Sequence, residues 1–408
     1  MRSRGQANAV KRPARIALAL LAVILIVLPP SVSRLAAGGG LSMPWLLSPE
    51  APDTLVQVGF SWLIFWAYAL AIVLVLAPFL FRLTFGSPSG YRARRTRAFP
   101  WWGWAGVGLL LAAWVLAWGG FPTAPSIRSH SFTGLWLGYI VVVNALTRRR
   151  AGCCLLTDAP WRLLLLFPAS AAFWWMFEYL NQFIGNWHYQ HVSELAPAAA
   201  IVVSSLPFST VLPAVVSTRD LLATFPGLSR GLDCWWRPPQ LPRRPAAVLA
   251  LILAMAALGL MAVYPDWLYS FVWLGPLIVI TALQTLAGER SLLTPLARGD
   301  WAVLWLAALA GLACGFFWEL WNWQSLARWS YSVPYVDRFH LFAMPLLGYA
   351  GYLPFGLTCI AATRLLTGME VTPFAVRPRP VAPVLAPHRL QMPKRASRRS
   401  EAARTASR

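Results

Sequence analysis

Ten apolar runs follow one another through this chain, at 16–34, 57–81, 101–119, 133–147, 163–185, 198–217, 246–265, 269–287, 301–322 and 341–363. Most are close to the ~20 residues that a helix needs to cross a bilayer, with 133–147 the shortest. No globule of 408 residues with 58% hydrophobic and 12% charged residues has enough interior to hide that much apolar surface; soluble domains are about half apolar and about a quarter charged. Lipid must therefore be the solvent. Inside lipid every backbone N–H and C=O has to be satisfied within the chain, which favours helices. The expected fold class is all-α, a polytopic transmembrane helical bundle of about ten spans. The composition excludes disorder, a collagen-like fibre and a secreted disulfide scaffold for the bulk of the chain.

The net charge of +21 is set by position rather than by a nucleic-acid surface. With ten spans, alternate connections face opposite sides. The N-terminus, the loops 82–100, 147–163, 217–246 and 286–300, and the C-terminal tail carry 31 of the 35 Lys and Arg residues; the other connections carry 4. That is the positive-inside pattern, and it places both termini in the cytoplasm of a bacterial inner (plasma) membrane. The expected partners are membrane lipid and, at the basic loops and tail, anionic headgroups, with no nucleic acid. The first span, flanked by Arg15 and Ser31-Val32-Ser33, also fits the layout of a signal peptide. The five cysteines have no CxxC spacing and read as reduced thiols.

The sequence repeats itself. Trp136-Leu-Gly-Tyr-Ile-Val-Val-Val-Asn-Ala-Leu146 matches Trp273-Leu-Gly-Pro-Leu-Ile-Val-Ile-Thr-Ala-Leu283 at an offset of 137. Glu178 falls on Glu319 and Leu212-Pro213 on Leu353-Pro354 at 141, and Trp187 and Tyr189 fall on Trp329 and Tyr331 at 142. Small drifts of this kind are what a duplicated unit with variable loops leaves. The expected organisation is a two-span region at 1–100, a first four-span repeat at 101–219, a Pro- and Gly-rich cytoplasmic linker at 220–245, a second repeat at 246–365, and a disordered basic tail at 366–408. Four spans per unit is an even number, so the repeats lie parallel, related by a pseudo-two-fold axis along the membrane normal.

Of the fourteen acidic residues, Glu178 and Glu319 are the two that fall within the expected spans, at one repeat position. A carboxylate at mid-membrane costs about 3 kcal/mol on insertion scales, so in-span acids point to function or to a partner in the bundle. Asn181 and Asn322 follow three residues later, on the same helix face. The candidate catalytic set is Glu178, Glu319, Asn181 and Asn322, with the amides orienting the acids. Trp175, Trp187, Tyr189, Trp318, Trp329 and Tyr331 are the candidate substrate-binding residues, the alternative for such aromatics being an interfacial belt. Two carboxylates facing one another across a dyad would resist double ionisation, so one pKa should rise; that would suit an acid–base pair, a proton-coupled site, or a cation site with both ionised. Pro and Gly in Met344–Gly356, and Pro207 and Pro213 in the first unit, predict broken helices at corresponding places. His188, His191 and Glu194 have a spacing that a divalent metal could use, but a polar loop explains them as well. No phosphate-binding, dinucleotide or hydrolase motif is present, and no cofactor or metal is expected.

The strings Phe317-Trp-Glu-Leu-Trp-Asn322, Trp329-Ser-Tyr-Ser-Val-Pro-Tyr335 and Met344–Phe355 resemble those of a family of uncharacterised bacterial multi-pass membrane proteins, as do Phe132–Leu146 and Phe173–Tyr189. The resemblance covers about residues 100–365 and implies no activity. A looser similarity links the chain to membrane carotenoid enzymes of the lycopene cyclase and bacterioruberin hydratase types, which follow an in-span Glu with Trp/Tyr-rich and Pro-rich stretches. The paired-acid Pro-x-Glu-Glu of the cyclases is missing here. Three functions fit: an enzyme acting on a lipid or isoprenoid near the periplasmic leaflet, a proton- or cation-coupled transporter or channel, and a structural or assembly protein.

Overall fold

The computed structural model describes residues 12–41, 58–86, 96–119, 128, 130–190, 197–239, 243–370 and 373. His191, Glu194 and most of the expected disordered tail lie outside the described residues. The first residues of that tail are described, with Leu366 and Thr367 still in helix and Met369 buried, so the ordered chain runs past the expected boundary at 365. The described chain is built of helices: α1 (Arg12–Ala36), α2 (Trp62–Phe85), α3 (Trp101–Trp118), α4 (Ser131–Ala151), α5 (Pro160–Ile184), α6 (Pro197–Phe208), α7 (Val211–Leu222), α8 (Arg243–Met261), α9 (Phe271–Leu286), α10 (Ala302–Asn322) and α11 (Tyr352–Thr367). Four short strands complete it: β1 (Trp187–Tyr189), β2 (Trp329–Tyr331), β3 (His340–Leu341) and β4 (Met344–Pro345).

Among the described residues eight segments are long and apolar enough to cross a membrane, which makes this an integral membrane protein of the multi-pass, all-α kind. The apolar runs at 133–147 and 269–287 fold as α4 and α9, and neither joins the eight. The triplet Arg148-Arg149-Arg150 closes α4 and lowers its hydropathy, and α9 has only 16 residues.

The expected breaks occur. The run 198–217 divides into α6 and α7 around Ser209-Thr210, and the last run opens as a 3-10 turn, Leu346–Gly351, before α11 begins at Tyr352. Such breaks leave backbone groups to satisfy. At the first, Ser170 of α5 does so, donating from Oγ to the Phe208 carbonyl at 2.6 Å and accepting from the Leu212 N–H at 3.0 Å. At the second, glycine allows direct backbone contact. A Cβ on Gly311 of α10 would run into the Tyr352 carbonyl and Gly356, and one on Gly356 would run into the Ala307 carbonyl.

Packing brings α5, α7, α10 and α11 together at the centre. The α5 helix packs on α7 and α11, and α10 packs on α11 and α7. Outside them α3 packs on α4, α8 packs on α9, and α1 lies against α8 and α9. Helix α2 is different. Only Phe65 along it is buried, and it is held mainly near its ends. At one end Phe65 packs on Phe339, and the Tyr68 ring stacks on Tyr269. At the other end Phe79 stacks on Trp305, while Arg82 donates to the carbonyls of Gly231 and Cys234.

The span expected to end at residue 217 continues as helix to Leu222, so the expectation of two in-span acids needs correction. Arg219 and Asp220 lie within that helix, 1% and 2% exposed, with Nη2 and Oδ1 2.9 Å apart. Asp158, two residues before α5, pairs with Arg148 at 2.8 Å. Asp300, one residue before the N-cap Trp301 of α10, accepts from the Ala302 N–H at 3.2 Å.

Candidate functional site

Both carboxyls of interest face the bundle interior. Glu178 is 3% exposed and Glu319 fully buried. Among the described residues neither forms an ion pair, so each relies on neutral donors. The Glu178 Oε1 accepts from Trp174 Nε1 at 2.7 Å, Tyr189 Oη at 2.6 Å and Trp187 Nε1 at 3.2 Å. The Glu319 Oε1 accepts from Tyr331 Oη at 2.6 Å and Tyr352 Oη at 2.5 Å, and Trp329 Nε1 donates to the Tyr331 oxygen at 2.6 Å. The second oxygen of Glu319 is buried with no hydrogen-bond partner. A buried unsatisfied acceptor costs about 1–3 kcal/mol, and it is the feature of the site that most calls for an incoming donor.

Local structure explains how donors reach the acids. Trp174 is four residues before Glu178, one helical turn below on the same face. Helix α5 ends at Gly185, whose φ of +58° is the left-handed conformation that glycine adopts without strain. The chain turns there and runs back as β1, which brings Trp187 and Tyr189 over Glu178. The parallel construction follows α10, where β2 brings Trp329 and Tyr331 to Glu319.

The asparagines have a different role from the one expected. Asn181 donates to the Trp187 carbonyl at 2.7 Å and accepts from the Asn186 N–H at 2.9 Å. Asn322 donates to the Trp329 carbonyl and accepts from the Trp329 N–H, both at 2.8 Å. Neither amide hydrogen bonds to a carboxyl. The i, i+3 spacing does put Glu and Asn on one face, but the Asn reaches outward to the returning backbone, whose amide groups have no ladder partner at that point. They are positioning residues for the aromatic donors.

The two returning strands pair with each other, antiparallel, as Trp187 with Tyr331, His188 with Ser330 and Tyr189 with Trp329. Exchange of the two strands maps this register onto itself. Tyr189 packs edge-on against Trp329, at 6.3 Å between ring centroids. A continuous set of contacts thus joins the carboxyls: Glu178, Tyr189, Trp329, Tyr331, Glu319. Burial and the neighbouring carboxyl push the Tyr189 and Tyr331 phenols well above their ordinary range, which favours the protonated, donating form.

A cavity of about 770 Å³ lies against this layer. Trp174, Trp187, Tyr189, Trp318, Trp329, Tyr331 and Tyr352 line it, whereas the two glutamates sit behind them. Five of the six expected substrate-binding aromatics therefore meet the cavity. Trp175 does not: its Nε1 donates to Ser205 Oγ at 2.9 Å, and its ring packs on Phe208. Reasoning from sequence missed Trp174 and Tyr352. The i−4 spacing to Glu178 was a signal for the first; the second comes from a distant helix and leaves no local trace. His188 pairs with Ser330 in the strands, and no metal-binding cluster occurs among the described residues.

No family model, curated protein or solved structure matches this chain.

Proposed function

We propose that this is an integral-membrane enzyme that moves protons on the polar head of a lipid or isoprenoid, with Glu178 and Glu319 as its acid and base. One observation carries the reading. Neither carboxyl touches the cavity, yet phenols that line the cavity donate to each: Tyr189 to Glu178, and Tyr331 and Tyr352 to Glu319. A phenol that gives its proton into the cavity takes one from the carboxyl behind it, and the reverse passage is equally open. General acid–base catalysis needs a group within hydrogen-bond reach of the reacting atom, directly or through one relay. The Trp and Tyr lining suits an apolar substrate and stabilises positive charge developing on it. Asn181 and Asn322 fix the strands that carry the relay.

The same reading includes a duplicated architecture: ten spans, both termini in the cytoplasm of an inner membrane, and two parallel repeats about one dyad. The exchange-symmetric register of β1 and β2 supports it, as do the matched breaks before α7 and α11. Reporter fusions after Arg219 and Leu365 should read cytoplasmic and a fusion within 186–196 periplasmic; a periplasmic C-terminus overturns the topology.

Lipid extracts test the activity. Strains carrying the intact protein, no protein, Glu178→Gln or Glu319→Gln are compared. One lipid species should accumulate, and another disappear, alike in the deletion and both variants. Unchanged lipids in the deletion strain overturn the enzymatic reading.

A further inference from the structure

The cavity extends well beyond the carboxyl layer, and its two ends differ in chemistry. Near the acids it presents Asn186, Tyr189, Tyr331 and Tyr352. Along α2 the lining positions are Tyr68, Ala71, Ile72, Val75, Leu76 and Phe79, spaced as one helix face. That face runs ~16 Å at the helical rise per residue. It ends against Leu304, Trp305 and Ala308 of α10, where no polar group lines the wall apart from the Trp305 indole. The lining therefore suits an amphiphile, with a polar end and, beyond the Tyr68–Ser270 hydroxyl pair, an apolar arm beneath α2.

The charge of the cavity is as informative as its polarity. Among the described residues that line it there is no Lys, Arg, Asp or Glu. Two carboxyls stand directly behind the polar end. The one basic side chain among those described lining residues is His130, so a phosphate head placed there would have at most a single imidazole to offset its desolvation, and an undercompensated buried charge is costly. A neutral head, such as a hydroxyl, finds phenol and amide partners.

We propose that the occupant is an uncharged long-chain lipid with a small hydroxyl-type head, not a phospholipid or a lipid phosphate, and that its chain lies in the arm beneath α2. This deepens the functional reading above and rests on it only for the placement of the head. Helix α2 suits the role of a side wall that admits the chain from the bilayer. It is fixed near its ends by the Phe65–Phe339 and Phe79–Trp305 contacts, and between them it faces the cavity on one side and is exposed on the other, at Leu70, Val73 and Leu74.

Photolabelling of the full-length protein in nanodiscs tests this. The probe is a diazirine-bearing long-chain fatty alcohol, compared with the monophosphate ester of the same alcohol. The alcohol should label peptides of α2 and α10, be displaced by unlabelled alcohol, and lose most of its labelling in Leu76→Trp, which fills the arm. Leu74→Trp, on the outer face of α2, should label as the unsubstituted protein does. Equal labelling by the phosphate ester, or labelling indifferent to Leu76→Trp, overturns the proposal. Labelling is also measured in Glu178→Gln/Glu319→Gln. Retained labelling there, with unchanged lipids in the deletion strain, upholds the lipid site and removes only the chemistry. Changed lipids with no labelling of α2 keeps the chemistry and removes this site.

Discussion

The two carboxyl clusters reach the same end with different parts. Glu178 takes a donor from its own helix, Trp174, and two from the returning strand. At the position corresponding to Trp174 the second cluster has Gly315, and a Cβ there would run into the ring of Tyr352. The space of the missing indole is filled by that tyrosine, which comes from α11 and donates to Glu319 in its place. The position corresponding to Tyr352 is Val211. A Trp and a Val in one half stand against a Gly and a Tyr in the other. The exchange has a consequence for chemistry. Glu178 is surrounded by three donors, whereas Glu319 has two on one oxygen and none on the other. The first carboxyl is held by donors on three sides; the second keeps an acceptor free for a partner that arrives.

The helix crossings beneath the two clusters should respond most differently. At α10–α11, Gly311 meets backbone atoms of Tyr352 and Gly356 that cannot step aside. Gly311→Val is expected to cost at least about 3 kcal/mol, as severe overpacking does, with loss of the folded monodisperse protein in detergent. At α5–α7 the corresponding residue is Ser170, and Ser170→Gly removes two hydrogen bonds without a clash. It should cost about 1 kcal/mol, near the range found for hydrogen bonds within membranes. Equal effects on unfolding midpoint would show that the two crossings are not built differently.

Truncation of the acids comes next. Glu178→Ala leaves three buried donors without an acceptor, at about 2–4 kcal/mol. Glu319→Ala leaves two phenols that are already within reach of one another and removes a buried acceptor that was itself unsatisfied, so it should cost about 1–2 kcal/mol less. Denaturation in mixed micelles measures the difference. Glu319→Ala proving the more destabilising would reverse the assignment of the fixed and the free carboxyl. Asn181→Ala and Asn322→Ala should fall below Glu178→Ala, at about 1–2 kcal/mol each by loss of their backbone hydrogen bonds. Unlike the acids, the two should be alike, since both clamp the strand in the same way. An activity loss in either of the size seen for the acids, with fold intact, would return the amides to the chemistry.

What was legible in the sequence follows from the length of the interaction that encodes it. Apolar runs and paired motifs are local, so ten helical segments, two in-span glutamates and the breaks at Pro207–Pro213 and Met344–Gly356 could all be read. Positions along one helix could be read only in part. The i, i+3 rule put Asn181 on the Glu178 face, but not how far its amide reaches, because the groups it serves belong to a turn whose path Gly185 decides. The Arg219–Asp220 pair was placed beyond a span end, since a charged dipeptide reads as an interface until packing by neighbouring helices buries it. Tyr352 was the least legible donor. It depends on the absence of a side chain 37 residues away at Gly315, and an absence carries no pattern of its own.

The smallest effect separates two adjacent tryptophans. Trp174 and Trp175 are indistinguishable by composition, and both lie within one turn of Glu178. At 3.6 residues per turn, a residue four places back lies about 40° to one side of its partner and one three places back about 60° to the other. Trp174 accordingly donates to Glu178 and lines the cavity, while Trp175 turns to Ser205 of α6. Trp175→Phe removes one indole–hydroxyl hydrogen bond and keeps most of the packing on Phe208. It should lower stability by about 0.6 kcal/mol, an ordinary value for a hydrogen bond inside a membrane protein, and leave the lipid profile unchanged. Trp174→Phe removes a bond of the same kind and should cost a similar amount of stability. Because that bond is made to the carboxyl, it should also alter the lipid profile in the direction of Glu178→Gln. The two variants thus match in stability and part in function. A change in the lipid profile with Trp175→Phe would mean that the α5–α6 contact, and not the Glu178 cluster alone, shapes the site.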